Sequence, residues 1–256
     1  MPSPAELFDL SGRVAVVTGG SRGIGRSVCL ALAQAGADVV VASRKLDNCE
    51  STAAEIRAAT GRTVVPMAVN VSHWDQCGEL VDRVYAELGH CEVLINNAGL
   101  SPLYPDLASV TEELYDKTHA VNAKGPFRLA ALFATRMFAG DGGSIINVST
   151  AGSWRPDQHD LPYAMAKAGL NALTLGLAGA FNPKVRANTV LPGPFETDIT
   201  KAWAPGTMDT VRATNPMRRM GQPEDMAGVC VFLASDASSF VNGAQILCDG
   251  GSFRTL

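Results

Sequence analysis

Seven short apolar runs, each divided from the next by a stretch of helical character, constrain this chain more than any other feature. The first, Val14-Ala15-Val16-Val17-Thr18, leads through a glycine-rich turn into a helical stretch from about Gly25 to Ala35. Val39 to Ala42 is the second, and residues 46 to 59 read as a helix that stops at Gly61. Val64-Val65-Pro66-Met67 is a third strand candidate that Pro66 weakens, since proline cannot donate to a ladder. Helical character returns over 73 to 88 and stops at Gly89. Val93 to Asn96 follows, then one long helix expected over 111 to 138. Ser144 to Val148, a helix from Pro162 to Phe181, Val185 to Leu191, a helix over 224 to 234 and Ala244 to Cys248 complete the series.

Near-continuous apolar strands alternating with helices predict an α/β fold, a parallel sheet covered by helices on both faces. With no linker, repeat or low-complexity tract, the simplest organisation is one domain over residues 1–256. The stretch 194–221 departs from the pattern. It has no strand and holds Trp203, Pro205, Gly206 and Pro216, so it reads as a loop with short helical pieces, long enough to act as a substrate lid.

The glycine turn Thr18-Gly19-Gly20-Ser21-Arg22-Gly23-Ile24-Gly25 stands where the first strand passes into the first helix. A dinucleotide pyrophosphate needs backbone at close range there, and the helix N-terminus offers it free N–H groups and partial positive charge. Glycines gather in ordinary turns too, and the spacing T-G-x-x-x-G-x-G differs from G-x-G-x-x-G; the position in the first βαβ unit is what favours a cofactor. Gly19, Ser21, Arg22, Gly23, Ile24 and Gly25 are the candidate contacts. At the tip of the second strand, where an acid would accept a ribose 2′-hydroxyl, the chain reads Ser43-Arg44-Lys45, and the nearest carboxylate, Asp47, lies past it. Ser43 and Arg44, with Arg22 approaching, suit a 2′-phosphate and favour NADP(H) over NAD(H). The competing account makes Arg22, Arg44 and Lys45 plain solvated charges.

Tyr163 and Lys167 are four residues apart on an expected helix and share a face. A tyrosine titrates near pH 10, too high for a base at neutral pH; a neighbouring ammonium favours the phenolate. Such a tyrosine protonates a carbonyl oxygen in reduction and deprotonates an alcohol in oxidation. Alone the spacing means little, because a half-buried tyrosine beside a surface lysine is the commoner arrangement.

The wider context is more specific. Thr18 to Gly25, Asn96-Asn97-Ala98-Gly99, Asn122, Ser149-Thr150, Tyr163-Ala-Met-Ala-Lys167, Asn188 to Gly193 and Asp249-Gly250-Gly251 occur in this order. With them the chain resembles the classical short-chain dehydrogenase/reductase family over nearly its whole length. The resemblance implies a single-domain Rossmann fold with a seven-stranded parallel sheet, usually a homotetramer. It makes Tyr163 the general acid/base and Lys167 the residue that lowers its pKa and holds the nicotinamide ribose. Asn122 would tie the lysine to a water chain, or merely bond across a helix kink. Asn97, Ala98 and Gly99 would run under the adenosine ribose, or form a tight turn. Pro192, Gly193 and Thr197 would shape the nicotinamide pocket, although Thr197 serves equally well as a helix cap. Asn70-Val71 stands where the family has Asp-Val against adenine; asparagine still accepts through its amide oxygen.

The catalytic hydroxyl is the frayed member. The family places a serine thirteen residues before the tyrosine, and here that position is Thr150, with Ser149 before it. The spacing to Gly152 selects Ser149 instead. In a strand the two point to opposite faces. Thr150 is favoured, its hydroxyl having the same donor and acceptor capacity.

Composition narrows the partners. Net charge is −4, against a general nucleic-acid surface. Cysteines 29, 49, 77, 91, 230 and 248 include no C-x-x-C pair, and Cys29 and Cys230 sit in apolar runs, as reduced thiols of a cytoplasmic protein would. His73, His90, His119 and His159 are scattered, so no metal site is expected. Met1 to Leu10 has no basic region followed by an apolar run, and no run of 18 apolar residues exists, so neither a signal peptide nor a membrane span is expected. Leu100 to Tyr104, Ser153 to Leu161 and Phe195 to Met220 are candidate substrate segments. Trp154, Trp203, Phe195, Met208 and Met217 offer apolar surface, and Arg155 and His159 polar contacts; packing between subunits explains the tryptophans as well. The expected substrate is a small carbonyl compound or alcohol. The alternatives are a 3-oxoacyl thioester, for whose acidic carrier Lys124, Arg128 and Arg136 are candidate contacts, a sugar, or a catalytically silent dinucleotide sensor.

Overall fold

A computed structural model describes residues 2–198, 200 and 203–253. After a short helix α1 (Pro4–Phe8) come β1 (Val14–Thr18), α2 (Gly23–Gln34), β2 (Asp38–Ser43), α3 (Leu46–Thr60), β3 (Val64–Ala68) and α4 (Trp74–Leu88). The second half runs β4 (Val93–Asn96), α5 (Glu112–His119), α6 (Gly125–Ala139), β5 (Gly143–Val148), α7 (Leu161–Ala180), β6 (Val185–Pro192), α8 (Thr207–Thr214), α9 (Ala227–Ala234) and β7 (Gln245–Cys248).

The seven strands form one parallel sheet in the order β3-β2-β1-β4-β5-β6-β7. Strand order reverses between β1 and β4, which opens a crevice at their carboxyl ends, the usual ligand position of such sheets. Alternation along β1 divides the core. Ala15 and Val17 join Val28, Leu32, Ile56, Cys230 and Leu233 on one face, while Val14 and Val16 join Leu80, Val84, Leu129, Phe133 and Leu177 on the other. Cys29 and Cys230 are both fully buried, as their apolar surroundings predict, and the described cysteines are free thiols.

Pro66 is accommodated because β3 lies at the sheet edge, bonded only to β2, so the missing donor leaves no ladder position empty. The single helix expected over 111–138 is instead two. A π-helical turn, Ala120–Lys124, separates α5 from α6. Its cause is local: Asn122 donates its side-chain amide to the Thr118 carbonyl at 2.8 Å, and Pro126 brings no N–H to the first turn of α6. Gly125 must also be a glycine, since a Cβ there would lie 2.1 Å from the Val71 carbonyl oxygen. The segment 194–221 is closed at its base by a bridge between Phe195 and Gly221, and it contains α8. Among the described residues no helix is long and apolar enough to cross a membrane, and no group of His, Cys, Asp or Glu is arranged to hold a metal.

Candidate active site

The glycine turn is held by the neighbouring strand end. Thr18, at the tip of β1, accepts the Asn97 and Ala98 N–H groups on its hydroxyl, at 3.0 and 3.1 Å. Asn97 returns its side-chain amide to the carbonyls of Thr18 and Gly19, at 2.9 and 3.3 Å. The packing is tight enough that a Cβ on Gly25 would fall 2.2 Å from the Gly19 oxygen and 2.5 Å from Asn97 Nδ2. Helix α2 then begins with no side chain capping it. Its first N–H groups and dipole therefore face the crevice without a protein acceptor, a donor set that fits a phosphate. Thr197 lies over this turn, its methyl 3.9 Å from where a Gly23 Cβ would be. Arg22 pairs there with Asp198 at 3.0 Å. Residues 194–198 thus approach the turn from above.

Farther along the sheet edge, Ser43 is half-buried at the tip of β2 and Arg44 is exposed, with no ion-pair partner among the described residues. Asn70 has spent its amide oxygen on Ser72, accepting from its N–H and hydroxyl at 3.2 and 2.9 Å. Val71 is buried beside it. Pro192 ends β6, and Gly193 passes so close to Asp249 that a Cβ would sit 2.7 Å from that residue's own.

The crevice centre gathers the second group. Lys167 is 2% exposed and donates from Nζ to the Val148 carbonyl at 2.6 Å. Its Nζ lies 5.7 Å from the centre of the Tyr163 ring. A Cβ placed on Gly99 would meet Asn122 Oδ1 at 3.4 Å and Lys167 Nζ at 3.9 Å, so the β4 loop, the π turn and α7 converge on one spot. Both amide hydrogens of Asn122 are spent, on the Leu100 and Thr118 carbonyls at 2.7 and 2.8 Å. Its side chain therefore holds the kink and the loop after β4.

The two hydroxyls part as strand geometry requires. Ser149 is buried and donates to the Lys167 carbonyl at 3.2 Å. Thr150 is half-buried and accepts the Gly152 N–H at 3.2 Å, which leaves its own proton to give. Asn171, which sequence reasoning passed over, supports this corner with Ser153 and Tyr104, the ends of two expected substrate segments. Asn171 donates to Ser153 Oγ at 2.9 Å, and Ser153 donates to the Thr150 carbonyl at 2.7 Å. Tyr104 accepts the Leu161 N–H on its hydroxyl at 2.9 Å and so closes the N-terminus of α7. No spacing in the sequence signals the Asn171 and Tyr104 contacts, because each joins residues distant along the chain.

Electrostatics differ from the simple expectation for Tyr163 and Lys167. Burial pulls the Lys167 ammonium down to about 7. Burial, with Asp160 adding repulsion, pushes the Tyr163 phenol well above its ordinary value. Burial dominates, and the phenol keeps its proton at neutral pH. One donor of Lys167 is used on Val148, and the other two remain for a ligand.

Other expected substrate contacts divide. Phe195 is 6% exposed and packs in the core, and with Met217 it lines a cavity beside Leu247 to Gly251. Trp154 stacks edge-on against Phe253 and donates to Gln245 Oε1 at 2.9 Å, while Met217 is exposed. The basic patch proposed for a carrier is weakened. Arg136 pairs with Asp82, and Arg128 lies over the Trp74 ring.

Comparison with known proteins agrees with this geometry. The enoyl-(acyl carrier protein) reductase family model matches residues 19–252. The chain is 35% identical to a 3-oxoacyl-[acyl-carrier-protein] reductase of Thermotoga maritima, over 94% of this chain and 98% of the relative. It is 38% identical to an L-rhamnose 1-dehydrogenase (NAD(P)(+)) of Azotobacter vinelandii, over 95% and 98%. A crystal structure of a short-chain type dehydrogenase/reductase from Mycobacterium marinum superposes with a TM-score of 0.93 at 34% identity, covering 98% of this chain and 99% of the other. The chain belongs to the short-chain dehydrogenase/reductase family. It is an NAD(P)-dependent oxidoreductase that acts on alcohol and carbonyl groups.

Proposed function

We propose that the enzyme transfers hydride between NADP(H) and a small carbonyl or alcohol substrate, with Tyr163 as general acid/base, Thr150 orienting the substrate oxygen and Lys167 gripping the nicotinamide ribose. Residues 194–221 serve as the lid. The observation that carries the proton chemistry is the enclosure of Lys167 one turn from Tyr163, with two donors left over. When bound, the nicotinamide supplies the hydride. In reduction the Tyr163 hydroxyl gives its proton to the carbonyl oxygen while the Thr150 hydroxyl donates to the same oxygen; in oxidation the proton returns to the phenolate. Asn97, Ala98 and Gly99 and the turn residues Gly19 to Gly25 line the dinucleotide, with Asn70, Val71, Pro192, Gly193 and Thr197 at its two ends.

Preference for the phosphorylated cofactor rests on Ser43 and on the exposed Arg44, unpaired among the described residues, at the β2 tip, where no carboxylate stands. Arg22 joins them only by leaving Asp198, an exposed pair of little strength. A sugar is the favoured alternative substrate to a simple ketone, since the Azotobacter relative is named an L-rhamnose dehydrogenase. We also assign the protein to the cytoplasm, in keeping with its free thiols, and to a homotetramer, in keeping with exposed Phe127, Phe138, Met165 and Leu175 on α6 and α7.

A range of ketones, aldehydes and alcohols assayed with NADPH and NADH in parallel tests the reading. Turnover with a clear NADPH preference, lost in Arg44→Ala, supports it. A preference for NADH refutes the Arg44 assignment, and tight NADPH binding without any turnover makes the protein a silent sensor.

A further inference from the structure

Asp160 stands at the N-cap of α7 but does not act as a cap. An aspartate there ordinarily spends its carboxylate on the first N–H groups of the helix. Here no side-chain cap bond forms, and the Tyr104 hydroxyl takes the Leu161 N–H instead. One carboxylate oxygen of Asp160 accepts the Asp157 N–H at 3.1 Å. The other has no hydrogen-bond donor among the described residues. It faces Gly152: a Cβ built there would lie 3.2 Å from this oxygen and 3.5 Å from Thr150 Oγ1. The missing side chain of Gly152 therefore leaves a gap flanked by the carboxylate on one side and the Thr150 hydroxyl on the other. Tyr163 follows Asp160 by three residues, one turn into the same helix.

We propose that Asp160 is a specificity-determining residue that accepts a hydrogen bond from a hydroxyl group on the substrate carbon next to the reacting one. The inference rests on Tyr163 and Thr150 meeting the reacting oxygen, as proposed for the function. A carboxylate is acceptor-only when ionised, and its second oxygen stays open to solvent and so to a ligand's donor. With the reacting oxygen between Thr150 and Tyr163, the nearest substituent toward Asp160 is the one on the adjacent carbon. A hydroxyl there satisfies the carboxylate. A carboxylate there presents oxygen lone pairs to it and is rejected, and the methylene that a 3-oxoacyl thioester carries at that position leaves it without a donor. An ammonium would also pair with the carboxylate and is therefore the control in the test. The substrate class is thus an uncharged polyol, sugar or hydroxy ketone.

The test compares matched pairs of alcohols, with and without the neighbouring hydroxyl: propylene glycol against isopropanol, and cyclohexanediol against cyclohexanol. Isopropanolamine is the ammonium control. A hydrogen bond to a charged acceptor predicts that the wild-type enzyme favours the hydroxylated member by about tenfold to a hundredfold in kcat/KM. In Asp160→Ala this ratio falls toward one, and Asp160→Asn, which keeps the acceptor for the Asp157 N–H, lies between. NADPH affinity and melting temperature, measured on both variants, show that the fold and the cofactor site persist. Equal use of the paired alcohols by the wild type overturns the proposal. So does a preference that survives in both variants, or a larger preference for the amine. Absence of turnover on every pair with either cofactor sinks the proton chemistry assigned to Tyr163, and this inference with it; turnover without the predicted ratio sinks the Asp160 role alone.

Discussion

Replacing Lys167 with methionine should change how the stability of the cofactor-free protein depends on pH. Burial holds the folded-state ammonium near 7, against 10.5 for an exposed lysine. Between these values the unfolded chain binds a proton that the folded chain does not, so stability rises with pH across the interval. The gain is complete above pH 10.5 and is lost as pH falls through 7. Each pH unit of the interval contributes about 1.4 kcal/mol, so its full width amounts to about 4–5 kcal/mol, of which about 2–3 kcal/mol falls between pH 6 and pH 9. Methionine has similar length and no charge. Lys167→Met should therefore be the more stable protein at pH 6, and its advantage should shrink by about 2–3 kcal/mol by pH 9. Other groups titrating in this range, such as His119 with its pKa lowered by burial, occur in both proteins and cancel in the difference. Urea unfolding at fixed protein concentration across pH 6–9 measures it. Parallel curves for the two proteins would refute the account of Lys167 as a desolvated amine.

Further changes probe the rest of the site. Tyr163→Phe removes the proton donor and should lower kcat by about a hundredfold to ten-thousandfold with NADPH affinity retained; retention of most of the turnover would count against it. Thr150→Val should abolish most turnover, whereas Ser149→Ala, which loses the bond to the Lys167 carbonyl, should cost about 1 kcal/mol of stability and little rate. Steady-state kinetics on both decide the assignment, which fails if only the serine change destroys turnover. Gly25→Ala should destabilise the protein by at least about 2 kcal/mol and weaken dinucleotide binding, because its Cβ meets the Gly19 backbone. Gly78→Ala, in the interior of α4 where the nearest atom is Arg128 Nη2 at 3.7 Å, should instead stabilise by about 0.5–1 kcal/mol. Thermal melting of the two glycine variants checks both.

Those expectations separate what local pattern can reveal from what it cannot. Strands were legible because burial on both sheet faces leaves a near-continuous apolar run, as in Val39 to Ala42. The break at Asn122 escaped because helical periodicity continues through it; what parts α5 from α6 is one amide bonding to Thr118 and a glycine pressed on Val71. The glycine turn was legible as a candidate, but its rigidity depends on Thr18 reaching Asn97 and Ala98, residues some eighty positions away. The same holds for the site. Tyr163 and Lys167 are four residues apart and announce a shared face, yet the sign of their electrostatics follows from enclosure, which spacing does not encode.

The consequence for catalysis is that the tyrosine should be tuned as the site is filled, not in advance. In the protein alone Tyr163 keeps its proton and Lys167 is poised near neutrality, with two donors unassigned. Any ligand that brings acceptors to Lys167 favours the ammonium, and the ammonium in turn favours the phenolate. Asp160 acts on the same balance from the opposite side, holding the phenol protonated until a donor occupies its free oxygen. Filling both positions therefore pushes Tyr163 the same way, toward ionisation. This coupling is measurable. With saturating NADP+, the pH at which alcohol oxidation reaches half its maximal kcat/KM should fall in Asp160→Ala relative to wild type, because the residual negative charge is gone. An unchanged or higher midpoint would show that Asp160 does not sense the tyrosine.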